Sequence, residues 1–292
     1  MKRKQTRTTE MRRLLVSLAV VGLLSAGLAT AGAGEQDVPS VDTIVDRSNR
    51  VAYYQGADGR ARVSMRIVDP QGRTRTRELT ILRWDHPSPD AEDGNDSSDD
   101  YTGDQRYYVY FHRPPDVENT VLLVWKHVAA EEADDRWLYL PGLDLVKRIS
   151  ATDKRTSFVG SHFVYEDISG RNVALDTHEL TDVTDQYYVL KNVPKKPEMV
   201  EFAYYKMWIH KDTFIPVMSR YYDDQGNNYR TYEVEKVENI QGYPTVMKSR
   251  MTNERSGGYT VLEYQDVKYD VGLPQDVFTK RYLEQPPREY LQ

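Results

Sequence analysis

Apolar residues recur at every second position over much of this chain, and that period dictates a β protein. Val63, Met65 and Ile67 alternate with Arg62, Ser64 and Arg66, and Leu79 and Ile81 continue the pattern after a turn at Pro70-Gln71-Gly72. Side chains two apart share one face of a strand, so these runs are two paired strands. RYYVYFH (106–112) and TVLLVWK (120–126) are two more, separated by Pro114-Pro115, which cannot lie inside a central strand. From Ala203 the chain reads as a meander, AYYKMWIHK, PVMSRYY, YRTYEVEKV, TVMKSRMT and YTVLEYQDVKYD, joined by short polar turns. That spacing makes antiparallel sheet. Helical signal is scarce. Ser40 is placed to cap one short helix through Arg50, with Val41, Ile44 and Val45 on its apolar face across a sheet mouth.

The N-terminus places the chain in a compartment. Lys2, Arg3, Lys4, Arg7, Arg12 and Arg13 stand against one acid, Glu10, and the uncharged run 14–34 follows. This is the charge order of a secretory signal peptide, and the small residues Ala29, Ala31 and Ala33 predict cleavage after Ala31 or Ala33. Its apolar core, residues 14–28, is shorter than the ~20 residues a spanning helix needs. The expected domains are thus a signal peptide at 1–33 and one domain at 34–292. The chain has no cysteine, which excludes a disulfide framework, cysteine-ligated metal and lipid attachment through an N-terminal cysteine. A soluble protein of the periplasm is expected.

The formal net charge is −6, and removing a leader with six bases and one acid leaves the remainder near −11. Such a balance argues against a nucleic-acid partner. Residues 88–104 (SPDAEDGNDSSDDYTGD) carry seven acids and no base. Their spacing does not fit a twelve-residue calcium loop, so they read as a flexible acidic loop between strands.

No catalytic constellation emerges. The six histidines are scattered, with no HExxH motif and no close pair, so no metal site is assigned. Gly160-Ser161-His162 lacks the second glycine of a nucleophile elbow. Read as a strand, His162 and Glu166 lie about 13 Å apart, and Glu166 and Asp167 point to opposite faces. No catalytic residue and no cofactor are assigned, and the protein is not expected to be an enzyme. Most of the 22 tyrosines read as ordinary sheet positions.

One block exceeds composition: residues 137–168, WLYLPGLDLVKRISATDKRTSFVGSHFVYEDI. It holds Leu138-Tyr139-Leu140-Pro141, the basic element Lys147-Arg148-Ile149, and the run from Phe158 through Gly160-Ser161 and Phe163 to Tyr165-Glu166-Asp167. These motifs resemble the signature of the outer membrane lipoprotein-sorting protein family. Trp208-Ile209, Phe214-Ile215-Pro216, Tyr221-Tyr222-Asp223, Thr260-Val261-Leu262-Glu263-Tyr264 and Arg281-Tyr282-Leu283 extend the resemblance over nearly all of 34–292. His162, where the family more often has an acidic or small polar residue, and the insertion at 88–104 depart from it.

The resemblance implies a mainly β fold like that of the lipoprotein carriers LolA and LolB: a strongly curved antiparallel sheet, an incomplete barrel closed by helices. It implies a periplasmic carrier that holds the acyl chains of a lipoprotein or another lipid in an apolar groove. An inner-membrane transporter as donor and an outer-membrane acceptor follow as partners. Alternation nominates Val63, Met65, Ile67, Phe111, Leu123, Trp125, Met207, Ile209 and Leu262 for that groove, and Lys147 and Arg148, taken as exposed bases on a turn, for head-group or partner contact. The alternative is a non-catalytic adaptor of an RND-type envelope transport complex, with a filled core. An envelope hydrolase is the third reading, and it lacks converging carboxylates.

Overall fold

A computed structural model describes residues 38–86 and 103–292. The chain divides into two units, Met1–Val38 and Pro39–Gln292, and the account below concerns the second. The expected signal peptide and most of the acidic stretch lie outside the described residues.

Among the described residues the first element is a helix, α1 (Val41–Tyr53), capped as expected by Ser40, whose Oγ accepts from the Thr43 N–H at 3.1 Å. It runs three residues beyond Arg50. Thirteen strands follow among the described residues: β1 (Asp58–Val68), β2 (Thr74–Asp85), β3 (Gln105–Arg113), β4 (Val121–Lys126), β5 (Asp135–Leu140), β6 (Leu145–Ile149), β7 (Asp176–Val183), β8 (Tyr187–Pro194), β9 (Tyr204–His210), β10 (Pro216–Tyr222), β11 (Asn228–Ile240), β12 (Tyr243–Asn253) and β13 (Tyr259–Tyr269). They form one antiparallel sheet in the order β6-β5-β4-β3-β2-β1-β13-β12-β11-β10-β9-β8-β7. The chain therefore enters at the middle of the sheet, walks out to the β6 edge by hairpins, crosses to the β7 edge, and walks back to pair β13 with β1.

The sheet is curved and unclosed, as expected. Register shifts break the ladders between Arg60 and Arg62, Leu180 and Asp182, and Val234 and Val237. Each such bulge bends its strand and adds twist. Residues 150–175 connect the two free edges and carry the second helix, α2 (Tyr165–Ser169).

That connection corrects the strand reading of 162–167. Val159 and Gly160 both have positive φ, 46° and 73°, and the turn they make brings the Phe158 N–H to the Phe163 carbonyl at 2.8 Å. The Val164 N–H then donates to Asp167 Oδ2 at 2.7 Å, so Asp167 caps α2 from its third position. Period-two reasoning missed it because Val164, at the cap, lacks the usual Ser, Thr or Asp. Lys147 and Arg148, expected on a turn, lie in edge strand β6.

Two layers of core flank the first half of the sheet. On the concave face Val63, Met65, Ile67, Leu79, Val109, Phe111, Leu122 and Val124 pack against Phe158, Phe163 and Tyr165 of the crossing segment. On the other face Leu82, Tyr108, Val121, Leu123 and Trp137 are covered by Leu273, Val277, Phe278, Leu283 and Leu291 of the C-terminal segment. Burial on both faces explains why β3 and β4 read as nearly continuous apolar runs rather than clean alternations. Each such Leu or Val contributes roughly 1.5–3 kcal/mol by leaving water.

The helix ends are held by buried cations. The carbonyls of Tyr53, the last residue of α1, and of Gly56, just past it, accept from the Arg83 guanidinium at 2.7 Å each, and Arg83 also bonds the Gln55 carbonyl. Lys126 Nζ donates to the Ser169 carbonyl at 2.9 Å at the end of α2. These cations satisfy carbonyls that a helix C-terminus leaves unpaired. Gly170 follows α2 at φ 77°, and a Cβ there would run into the Tyr53 ring. Gly170→Ala is expected to cost about 2–3 kcal/mol, read as a shift of the denaturation midpoint, because the backbone region and the contact both exclude a side chain.

Candidate functional site

The second half of the sheet is not filled in the same way. Between α1, the crossing segment and the sheet lies a cavity of about 360 Å³, walled mainly by β8–β13 and bordered by Ala61, Ile81 and Tyr107 of β1–β3, within the roughly 300–1,000 Å³ of ligand sites. Val45 and Ala52 of α1 form its roof, and Met207, Ile209, Val246, Met251 and Leu262 form apolar wall. The N-terminal half of α1 seats Ile44 against Tyr188, Leu190 and Ile209, so the roof rests on β8 and β9.

The other end of the cavity is built from charge. Arg155, Asp167 and Arg171 reach its wall, and each is neutralised within a buried network. Glu166, 3% exposed, accepts from Lys154 at 2.8 Å, Arg155 at 3.1 Å and Arg171 at 3.3 Å. Arg155 also meets Glu201 at 2.7 Å, Arg171 meets Asp176 at 2.8 Å, and Asp167 is bound by Arg230 of β11. Four bases face four acids, drawn from the crossing segment, β7, β11 and the approach to β9. The network ties the crossing segment to the second half of the sheet. Burial opposes ionisation of Glu166, yet Arg155, Lys154 and Arg171 outweigh it and hold its carboxyl down at about 2. At the Arg83 end, burial pushes Asp85 up to about 6 against Arg83, and pushes Lys126 down to about 8 against Asp134.

Of the nine groove residues nominated by alternation, Met207, Ile209 and Leu262 line this cavity. Val63, Met65, Ile67 and Phe111 sit on the same concave face, in the filled core of the first half. Leu123 and Trp125 project from the opposite face under the C-terminal segment, where the Trp125 indole donates to the Phe278 carbonyl at 2.8 Å. Alternation sorts residues onto faces but carries no label for which face is concave or which stretch a crossing segment fills. Arg148 pairs with Asp135, and Lys147 is exposed beside it.

The residues that alternation missed are the ionic ones. Arg155, Glu166, Asp167, Arg171, Asp176, Glu201 and Arg230 give no periodic signal, though Glu166 and Asp167 belong to the quoted motif. Among the described residues no group of three or more His, Asp or Glu is placed to hold a metal ion, and no helix is long and apolar enough to cross a membrane.

The open, curved antiparallel sheet has the fold of a LolA superfamily protein of known structure. A crystal structure of a LolA superfamily protein from Nitrosomonas europaea superposes with a TM-score of 0.61 at 20% identity, covering 84% of this chain and 100% of that one. A domain assigned to the outer membrane lipoprotein-sorting proteins, from Vibrio parahaemolyticus, is 25% identical with a TM-score of 0.70, covering 83% and 97%. A DUF1329 family protein from Desulfovibrio piger ATCC 29098 is 28% identical with a TM-score of 0.72, covering 84% and 100%. A family model described as uncharacterized protein matches residues 103–285, more than half of the chain. The chain belongs to that family, DUF1329. No curated protein matches the chain significantly.

Proposed function

We propose that this protein is a periplasmic carrier that shelters the acyl chain of a lipid or lipoprotein in the cavity beneath α1. One observation carries the reading: beside the core packed under the crossing segment, the sheet and α1 leave about 360 Å³ open against an apolar wall. Hiding an acyl chain from water recovers about 0.8 kcal/mol per methylene, so an apolar cavity is sufficient chemistry for a carrier and no bond need be made or broken. The Vibrio parahaemolyticus neighbour, assigned to outer membrane lipoprotein sorting, supports the same role. In this reading residues 1–33 direct export and are removed after Ala31 or Ala33, and 34–292 act as one carrier domain.

The β5–β6 hairpin is the proposed contact with a donor or acceptor. Leu143 at its tip is 71% exposed, and Leu145, Val146, Lys147 and Arg148 continue an exposed apolar and basic strip along an edge strand. A Lys147→Glu, Arg148→Glu double variant is expected to slow cargo transfer between vesicles severalfold by reversing charge at this strip. Its thermal midpoint should fall only slightly, since Lys147 is exposed and the Arg148–Asp135 pair it breaks lies at the surface, worth at most about 1 kcal/mol.

Native mass spectrometry of the protein from a periplasmic extract, followed by lipid identification, tests the carrier reading. The expected result is a stoichiometric acyl-bearing adduct. A clean unliganded mass, with no uptake of added lipid, would overturn it in favour of an adaptor of an envelope transport complex.

A further inference from the structure

The polar groups on the cavity wall identify the kind of cargo. Several tyrosines reach this cavity, and most spend their hydroxyls on the protein. Tyr107 donates to Gln105 Oε1 at 3.1 Å, Tyr205 to Asp176 Oδ2 at 3.0 Å, and Tyr269 shares a 2.9 Å hydrogen bond with Thr245 Oγ1. Tyr232 is held by Ser249. Tyr53 of α1, Tyr221 of β10 and Tyr264 of β13 line the same cavity, and among the described residues their hydroxyls have no hydrogen-bond partner. None of the three is a sealed orphan, so each hydroxyl opens onto the cavity.

The three are neighbours as well as cavity residues. Burial first, then the phenols of Tyr232 and Tyr221, Asp167 and the phenol of Tyr264, push the Tyr53 hydroxyl's pKa up. Burial and Asp167 push Tyr221 up against Arg230 and Arg155, and burial and Tyr232 push Tyr264 up. All three therefore stay neutral donors on the cavity wall, where burial itself disfavours a charged group.

Among the described residues, Arg155, Arg171 and Arg83, which reach the cavity, already face protein acids. Arg155 and Arg171 are consumed by Glu166, Glu201 and Asp176, and Arg83 by Asp85 and the carbonyls at the end of α1. Both ring nitrogens of His178 are engaged, by Asn192 and the Val173 carbonyl. Arg60 and Lys268 border the cavity, but alternation with Ala61 and Tyr269 sends their side chains to the convex face. A carboxylate or phosphate entering would be desolvated beside the Asp167 carboxylate, with these three arginines already paired. A neutral carbonyl or hydroxyl would gain donors otherwise left idle.

We propose that the hydroxyls of Tyr53, Tyr221 and Tyr264 form a polar subsite for the uncharged oxygen-bearing group of an ester-type lipid, whose chain lies along the Met207–Leu262 wall. This rests on the carrier reading and narrows it from any acyl chain to a neutral acyl ester.

The test displaces a neutral apolar dye, N-phenyl-1-naphthylamine, from the full-length mature protein at pH 8, with 1-monolauroylglycerol and laurate as matched competitors. The ester is expected to displace the dye at about tenfold lower concentration than laurate. Tyr53→Phe and Tyr264→Phe are each expected to weaken the ester by about threefold to tenfold, the effect of one neutral hydrogen bond, with a clearly smaller change in laurate affinity, since the ring that lines the cavity is kept. Laurate binding as well as the ester, or ester binding untouched in both Phe variants, overturns the subsite while dye binding keeps the carrier reading standing. Failure of dye, ester and laurate alike overturns both.

Discussion

Glu166→Gln is expected to destabilise the protein by about 3–5 kcal/mol in chemical denaturation, the usual result of removing one partner from a buried ion pair. The carboxylate is almost wholly enclosed and faces Lys154, Arg155 and Arg171 at 2.8–3.3 Å. An amide leaves those cations short of one negative charge in a place water does not reach. The same residue fixes a pH dependence. Its carboxyl ionises at about 2 in the folded chain against an ordinary 4.5, so ionised Glu166 stabilises the fold fully above the ordinary value. That contribution, about 3 kcal/mol, is lost as pH falls from near 5 through 2. The parent's denaturation midpoint should therefore drop across that window more steeply than the variant's. Parallel curves would show that Glu166 does not dominate acid stability.

Met207→Asp is expected to weaken binding of N-phenyl-1-naphthylamine or 1-monolauroylglycerol by about 100-fold or more, since a carboxylate in the apolar wall must be desolvated by any chain laid against it. Met207 is half-buried on β9 and borders open space, so the fold should survive the change. Leu123→Ala supplies the contrast. Leu123 lies fully buried on the other face of the sheet, where truncation should cost about 2–5 kcal/mol of stability and leave affinity unchanged. Equal loss of binding in both variants would mean that the cavity does not hold the ligand.

These contrasts trace how legible the molecule is from its residues. The β1–β2 hairpin about Pro70-Gln71-Gly72, the strand pair β3 and β4, the meander from β9 to β13 and the Ser40 cap of α1 were all readable, because each depends on side-chain period or turn chemistry within a few residues. Met207, Ile209 and Leu262 were found by the same rule that nominated Leu123 and Trp125. In strands buried on both faces, that rule separates two apolar sets without saying which one faces a cavity. The segment 162–169 misled because its turn rests on Val159 and Gly160 at positive φ and on an aspartate cap reaching back to a valine.

The sequence by itself determined that the chain is a β protein, roughly where its strands begin and turn, and which family its Tyr-Glu-Asp motif resembles. Local preference is strong enough for that. Only the tertiary structure decided that Glu166 and Asp167 anchor a buried network, that residues 150–175 join the two free edges of one sheet, and that the open space lies under α1 rather than beside Val63 and Phe111. Those outcomes rest on pairs such as Arg230 with Asp167 and Arg155 with Glu201, far apart in sequence and adjacent only once thirteen strands have curved around them. Charge carries no periodic mark along a chain, so its partners become visible only in the folded molecule.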